Sequence, residues 1–127
     1  MDVSLEERVE RVLELLDAMD IDGLGATLAE DAQSVDEITR GWTRGRAAIE
    51  AYFADLKDSV SDVQSRMSDP REAVWGDVGL ITFVLEQTYT LDDERQEISA
   101  PTSILFRREA DDWKIALIHT VPLPKSE

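Results

Sequence analysis

Few side chains in this chain can move a proton near neutral pH or orient a small ligand. His119 is the one histidine, and imidazole is the side chain that changes charge near neutrality and so serves as general base or acid. It lies in Trp113–Val121, where residues alternate with period two. Alternation predicts a strand with Trp113, Ile115, Leu117, His119 and Val121 on one face, and Lys114, Ala116, Ile118 and Thr120 on the other. The first set is larger and more apolar. It is therefore expected to face the interior, carrying Trp113 and His119 inward. The smaller second face, with Ala116 and Ile118, would meet a partner's sheet.

The upstream segment 78–91 places Ile81, Phe83, Leu85, Gln87 and Tyr89 on one face. Gln87 and Tyr89 are then two polar groups in an apolar wall, the usual make-up of a small-molecule pocket. In the strand candidate 96–109, Arg107 and Arg108 fall on opposite faces. One of them turned inward would bind an anionic group; both would otherwise pair with surface carboxylates. Tyr52 and Phe53 fall on the apolar stripe of a helix, Trp42 lies just before it, and the three could wall the same site. Each residue also has a plainer role, as a structurally bonded histidine or as ordinary core.

Several function classes are excluded. The chain has no cysteine, so disulfides, thiolate metal sites and a cysteine nucleophile are absent. One histidine cannot form a multi-histidine metal site. Neither a glycine-rich phosphate loop nor a P-loop lysine is present. Asp92-Asp93-Glu94 lacks the spacing of an EF-hand loop. No cofactor is expected. With 28 Asp plus Glu against 13 Lys plus Arg, the formal charge is −15. Phosphate backbones would repel such a protein, so a nucleic-acid partner is not expected. Ten Arg accompany only three Lys. Abundant acid with scarce lysine matches proteins from salt-rich cytoplasms, where a Debye length of about 3 Å at molar salt screens self-repulsion. No leader or membrane-spanning run is visible, so a cytoplasmic protein is expected.

The elements that must position these residues are mostly legible. At 127 residues the chain is expected to form a single domain, 1–127. Ser4-Leu5-Glu6-Glu7 fits a capping box, and Leu5, Val9, Val12, Leu13 and Leu16 follow at helical spacing over 5–18. Asp20 or Asp22 caps a short helix carrying Leu24 and Leu28. A strand is expected at 32–38. Ile49, Tyr52, Phe53 and Leu56 stamp a third helix over 45–58. Period-two patterning starts at Val60. Turn signals at Gly76-Asp77, Asp92–Arg95 and Ala110–Asp112 divide the rest into four strands. Pro101 suggests a bulge or an edge, and Pro122 and Pro124 end the last strand. Helices first and an antiparallel meander after them mean an α+β fold. Strands this long must curve, and a curved sheet around helices forms a cone with an interior.

Two segments carry a family resemblance. One runs Asp20-Ile21-Asp22-Gly23-Leu24 and Leu28-Ala29-Glu30-Asp31-Ala32; the other is Gly45-Arg46-Ala47-Ala48-Ile49-Glu50-Ala51-Tyr52-Phe53. With the ending Phe106–Glu109, Trp113-Lys114-Ile115 and His119, they resemble SnoaL-like domains, within the superfamily of nuclear transport factor two and ketosteroid isomerase. The resemblance implies a cone-shaped, cystatin-like fold with three N-terminal helices on a curved, mostly antiparallel sheet. It implies a homodimer packed through the outer sheet face and a cone admitting a small apolar molecule. Members include isomerases, cyclases, dehydratases and non-catalytic modules. The isomerase branch places its base after helix two, which maps onto Asp31 or Asp36. The family often has serine two residues after the histidine, where this chain has Val121. The expected function is binding of a small, mainly apolar molecule, with His119 as proton carrier and Tyr89 or Asp36 assisting. A non-catalytic ligand-sensing or dimerising module is the alternative.

Overall fold

The structure is a computed structural model and describes residues 4–36 and 38–121. Pro122, Pro124 and the tail beyond them lie outside the described residues. Helix α1 spans Leu5–Asp17, and the Ser4 hydroxyl caps it by accepting from the Glu7 N–H at 3.2 Å. Leu5, Val9, Val12, Leu13 and Leu15 are its buried stripe. Helix α2, Ile21–Ala26, is capped by Asp20, whose carboxylate accepts from the Gly23 N–H at 3.0 Å. It ends earlier than its apolar spacing predicts. Thr27 closes it, and the Thr27 carbonyl accepts from the Ile115 N–H at 2.8 Å, so sheet pairing captures the backbone there. Leu28 opens strand β1, Leu28–Val35, instead of extending the helix.

The two-residue strand β2, Thr43–Arg44, leads into α3, Arg46–Lys57. Gly45 starts that helix at φ 94°, ψ 145°, a conformation open essentially to glycine alone. Four strands follow: β3 Val60–Trp75, β4 Val78–Leu91, β5 Glu94–Glu109 and β6 Asp112–Thr120. Two-residue loops join them. Asp92 and Asp93, and again Ala110 and Asp111, all have positive φ, the geometry whose twist matches flanking strands in a tight hairpin.

The sheet order is β2-β1-β6-β5-β4-β3, with β1 parallel to β6 and the other neighbours antiparallel. The 14- and 16-residue strands are far longer than the usual strand of about five or six. Bulges bend them. Asp62 and Asp69, both left-handed at φ 52° and 51°, sit in the two register shifts of β3, a backbone state that aspartate tolerates. Pro101 is not at a bulge and lies on a strand between two others. Its carbonyl accepts from the Val121 N–H at 2.9 Å. Its nitrogen faces the same way, so the one ladder bond it cannot make is the reciprocal bond to Val121, just past the end of β6.

Helices α1 and α3 cover the concave side. Val9, Ile49, Ile81, Phe106 and Ile115 are its largest fully buried side chains. A second cluster of Met19, Val60, Val63 and Tyr89 fills one end.

The phase of β6 departs from simple alternation. Leu105 pairs with Leu117, but Phe106 pairs with Ile115, which leaves Ala116 without a partner. One extra residue shifts every later side chain to the opposite face. Trp113 and Ile115 are buried as expected, whereas beyond Ala116 it is Ile118 and Thr120 that point inward. Leu117 and His119 point out. The expectation that His119 faces the cone is overturned by this single inserted residue, and Ile118 leaves the outer face.

Candidate functional site

The concave sheet and the helices enclose a cavity of about 100 Å³. Most of its wall is apolar. Leu16 comes from α1, Phe53 and Leu56 from α3, Phe83 and Leu85 from β4, Ile104 from β5, and Ile115 and Ile118 from β6. The polar groups on the wall are Thr27, Asp36, Gln87, Tyr89, Thr102 and Thr120. Four residues singled out from the sequence therefore meet here: Asp36, Phe53, Gln87 and Tyr89.

Asp36 follows the end of β1 and is half-buried. Its Oδ1 accepts from the backbone N–H of Ile38 at 3.0 Å and of Thr39 at 2.9 Å, and from the Thr39 hydroxyl at 3.2 Å. The Asp36 N–H donates in turn to Thr39 Oγ1 at 3.1 Å. These bonds make an Asx-type turn. The Tyr52 hydroxyl reaches from α3 and donates to the same carboxylate, 3.1 Å from Oδ1 and 2.9 Å from Oδ2. Oδ1 is thus crowded with donors. Among the described residues, Oδ2 receives only the shared Tyr52 proton, which leaves it lone-pair capacity. Tyr52 does not line the cavity; it positions the carboxylate that does. Its ring stays against Phe53 at a centroid distance of 5.2 Å.

Deeper in the cone, the Gln87 amide donates to Ser65 Oγ at 2.9 Å, which fixes its orientation. Thr102 and Thr120 face each other across β5 and β6, their hydroxyl oxygens 3.3 Å apart. Thr102 also donates to the Ala100 carbonyl at 3.1 Å. Sequence reasoning missed this pair. It placed Thr120 on the outer face, and Ala116, small and apolar, gives no sign of a bulge.

The remaining candidates lie elsewhere. His119 is exposed on the outer face, its ring 5.9 Å from that of Trp42. Trp42 is 48% exposed, with the Arg44 guanidinium 5.6 Å from its centroid. Neither borders the cavity, because β2 and the outward phase of β6 carry them to the other side. Trp113 is buried in the main core with the Arg108 guanidinium 4.5 Å over its ring, away from the cavity wall. Arg107 lies on the outer face, bonded to Asp31 at 2.8 Å and to Glu109. The hydrogen bond from Arg107 holds the Asp31 carboxyl below the usual carboxylate range, and the two acids hold the guanidinium above its own. Arg107 is thus part of a surface ion pair, not an anion receptor in the cone. Among the described residues, no cluster of acids and histidine could hold a metal ion, and no helix is long and apolar enough to cross a membrane.

A family model described as a SnoaL-like domain matches residues 5–122. Solved structures agree on the fold. An NTF2-like protein with a cystatin-like fold from Novosphingobium aromaticivorans has a TM-score of 0.76 at 19% identity, over 96% of this chain and 81% of that one. A provisionally named dehydratase of the NTF2-like family from Streptomyces avermitilis gives 0.81 at 19% identity, over 94% and 96%. A provisionally named calcium/calmodulin-dependent protein kinase II association domain from Xanthomonas campestris gives 0.83 at 14% identity, over 98% and 91%. No curated protein sequence matches the chain. At these identities the structural likeness speaks for the fold alone.

Proposed function

The chain belongs to the SnoaL-like family, and from that premise we propose that its cone binds one small, mainly apolar molecule and that Asp36 exchanges a proton with it. The observation that supports this most is a carboxylate on the wall of an otherwise apolar cavity, steadied by the Tyr52 hydroxyl. In such a site the Asp36 carboxylate takes a proton from a carbon next to a carbonyl. The C–H electron pair passes into an enolate, and the proton returns to the same carbon or to another one. Isomerisation, cyclisation and dehydration all contain such a step, and a provisional dehydratase is among the structural relatives. Gln87 and Tyr89 orient the ligand. His119 takes no part from its outer position, so the role of first proton carrier passes to Asp36.

The cavity limits the ligand. An engineered apolar cavity of about 150 Å³ holds benzene, so 100 Å³ encloses roughly four to six non-hydrogen atoms. A steroid-sized body would extend through the mouth, where Asp36, Ile38 and Leu56 are only half-buried.

The test is proton exchange on a ketone of this size. Cyclopentanone in D2O, followed by proton NMR, should lose its α-hydrogens faster with the protein than in buffer, and Asp36→Asn should remove the difference. Equal exchange with protein, variant and buffer would defeat the proton-transfer reading.

The rival reading is a non-catalytic ligand-sensing or dimerising module. The bonds that tie Oδ1 into the turn favour it, since they give Asp36 a structural task. The outer sheet face is the surface we propose for a homodimer, with Leu80, Val84, Leu105 and Leu117 half-buried and Val78 and Trp75 38% and 61% exposed. The association domain among the structural relatives fits a role in assembly. Sedimentation equilibrium giving only monomer at micromolar concentration would sink it.

A further inference from the structure

We propose that Thr102 and Thr120 form the oxygen-recognising subsite of the cone, and that its ligand is a compact carbonyl compound with an apolar body. This rests on the cavity being a ligand site. The two side chains are 4% and 3% exposed, more deeply buried than Gln87 at 8%, and both line the cavity. Two hydroxyls bring two hydrogens. One is used by the Ala100 carbonyl at 3.1 Å. The other lies between oxygens 3.3 Å apart, long for an O–H···O bond, whose usual length is about 2.7–2.8 Å. So weak a bond is readily exchanged for a shorter one to a ligand oxygen. The pair therefore offers one donor on a wall that is mostly apolar and includes Phe83, Leu85, Ile104 and Ile115.

The register supplies the second half of the argument. Val35 pairs with His119 across β1 and β6, so the next residues along, Asp36 and Thr120, occupy neighbouring positions on the inward face. A carbonyl oxygen held by Thr120 leaves the adjacent carbon on the Asp36 side of the cavity. Recognition and proton transfer are thereby assigned to the same end of the cone. The device depends on the bulge at Ala116, which turns Thr120 inward.

The test compares two probes of six non-hydrogen atoms, cyclopentanone and methylcyclopentane, titrated into 15N-labelled protein and read by NMR. The variant is Thr102→Val with Thr120→Val. Removing both hydroxyls in the same shape avoids leaving one of them unpaired. The expected result is a loss of about five- to tenfold in cyclopentanone affinity, with methylcyclopentane unchanged or tighter. Thr120→Ser with Thr102 intact keeps both hydroxyls and should retain the wild-type preference. If the affinities for both probes move in parallel, or if Thr120→Ser loses the preference as the valines do, the subsite is refuted and the cavity reading stands. If neither probe binds the wild type, both readings fall. Should the double variant not fold, Thr120→Val alone carries the same comparison.

Discussion

Tyr52→Phe tests the contact that ties α3 to the cavity carboxylate. The substitution removes one oxygen and keeps the ring, so the packing on Phe53 at 5.2 Å survives. What is lost is a hydroxyl proton shared between Oδ1 at 3.1 Å and Oδ2 at 2.9 Å of Asp36. A hydrogen bond to a charged group contributes about 1.5–3 kcal/mol when buried. Tyr52 and Asp36 are both half-buried, and one proton serves two oxygens, so the expected cost is about 1–1.5 kcal/mol. In a domain of this size that lowers Tm by about 3–6 °C. The assay is urea unfolding at pH 7 and 25 °C for wild type, Tyr52→Phe, Asp36→Ala and the double variant. The m-value should be constant across the four. The turn bonds that Asp36→Ala also removes cancel in the cycle, leaving a Tyr52–Asp36 coupling of about 1 kcal/mol. Additivity within about 0.3 kcal/mol would show that the two groups do not hold each other, and the positioning argument for Asp36 would fail with it.

Asp31→Asn tests the surface ion pair. The folded carboxyl titrates below its unfolded value of about 3.9 because Arg107 bonds the ionised form. Its contribution is therefore present above about pH 4 and fades as pH falls through the lower folded value. Asp31→Asn should be slightly less stable than wild type at pH 7, and the gap should close in acid; a gap that persists unchanged to pH 2 would contradict the assignment. The charge of −15 carries a separate expectation. Raising salt from 0.1 M to molar levels shortens the Debye length from about 10 to 3 Å, so Tm should rise, and a flat or falling Tm would rule out salt adaptation as the reason for this composition.

What was legible in the sequence was whatever rests on local physics. Ser4 and Asp20 announce their helices because a side-chain oxygen satisfies an N–H two or three residues on. The run Ile81–Tyr89 reads as one inward face because alternation holds without interruption along β4. The hairpin turns carry aspartate or glycine at each positive φ except Ala110. The site was less legible, since it depends on what alternation cannot carry past a bulge. Ala116 has no signature of its own, yet it exchanges His119 for Thr120 inside the cone. The Tyr52–Asp36 bond joins a helix to a strand end, so neither residue's local pattern points to the other. Leu28 stands four residues after Leu24, a helical interval, and only the pairing of Thr27 with Ile115 shows that the strand has begun.

The pairing of β1 with β6 has a bearing on how the molecule assembles. Strands β3 to β6 join through two-residue loops and can zip in sequence, each turn holding the next strand close. The β1–β6 seam instead brings together segments from opposite parts of the chain, and its register is interrupted. Loop-closure entropy delays contacts of this kind, and seams of this kind are the ones that open locally while a meander holds. Asp36 and Thr120 lie on either side of it. The cavity end that we assign to chemistry is thus expected to form last, and amide hydrogen exchange should find it the readiest to breathe, giving a ligand its way in.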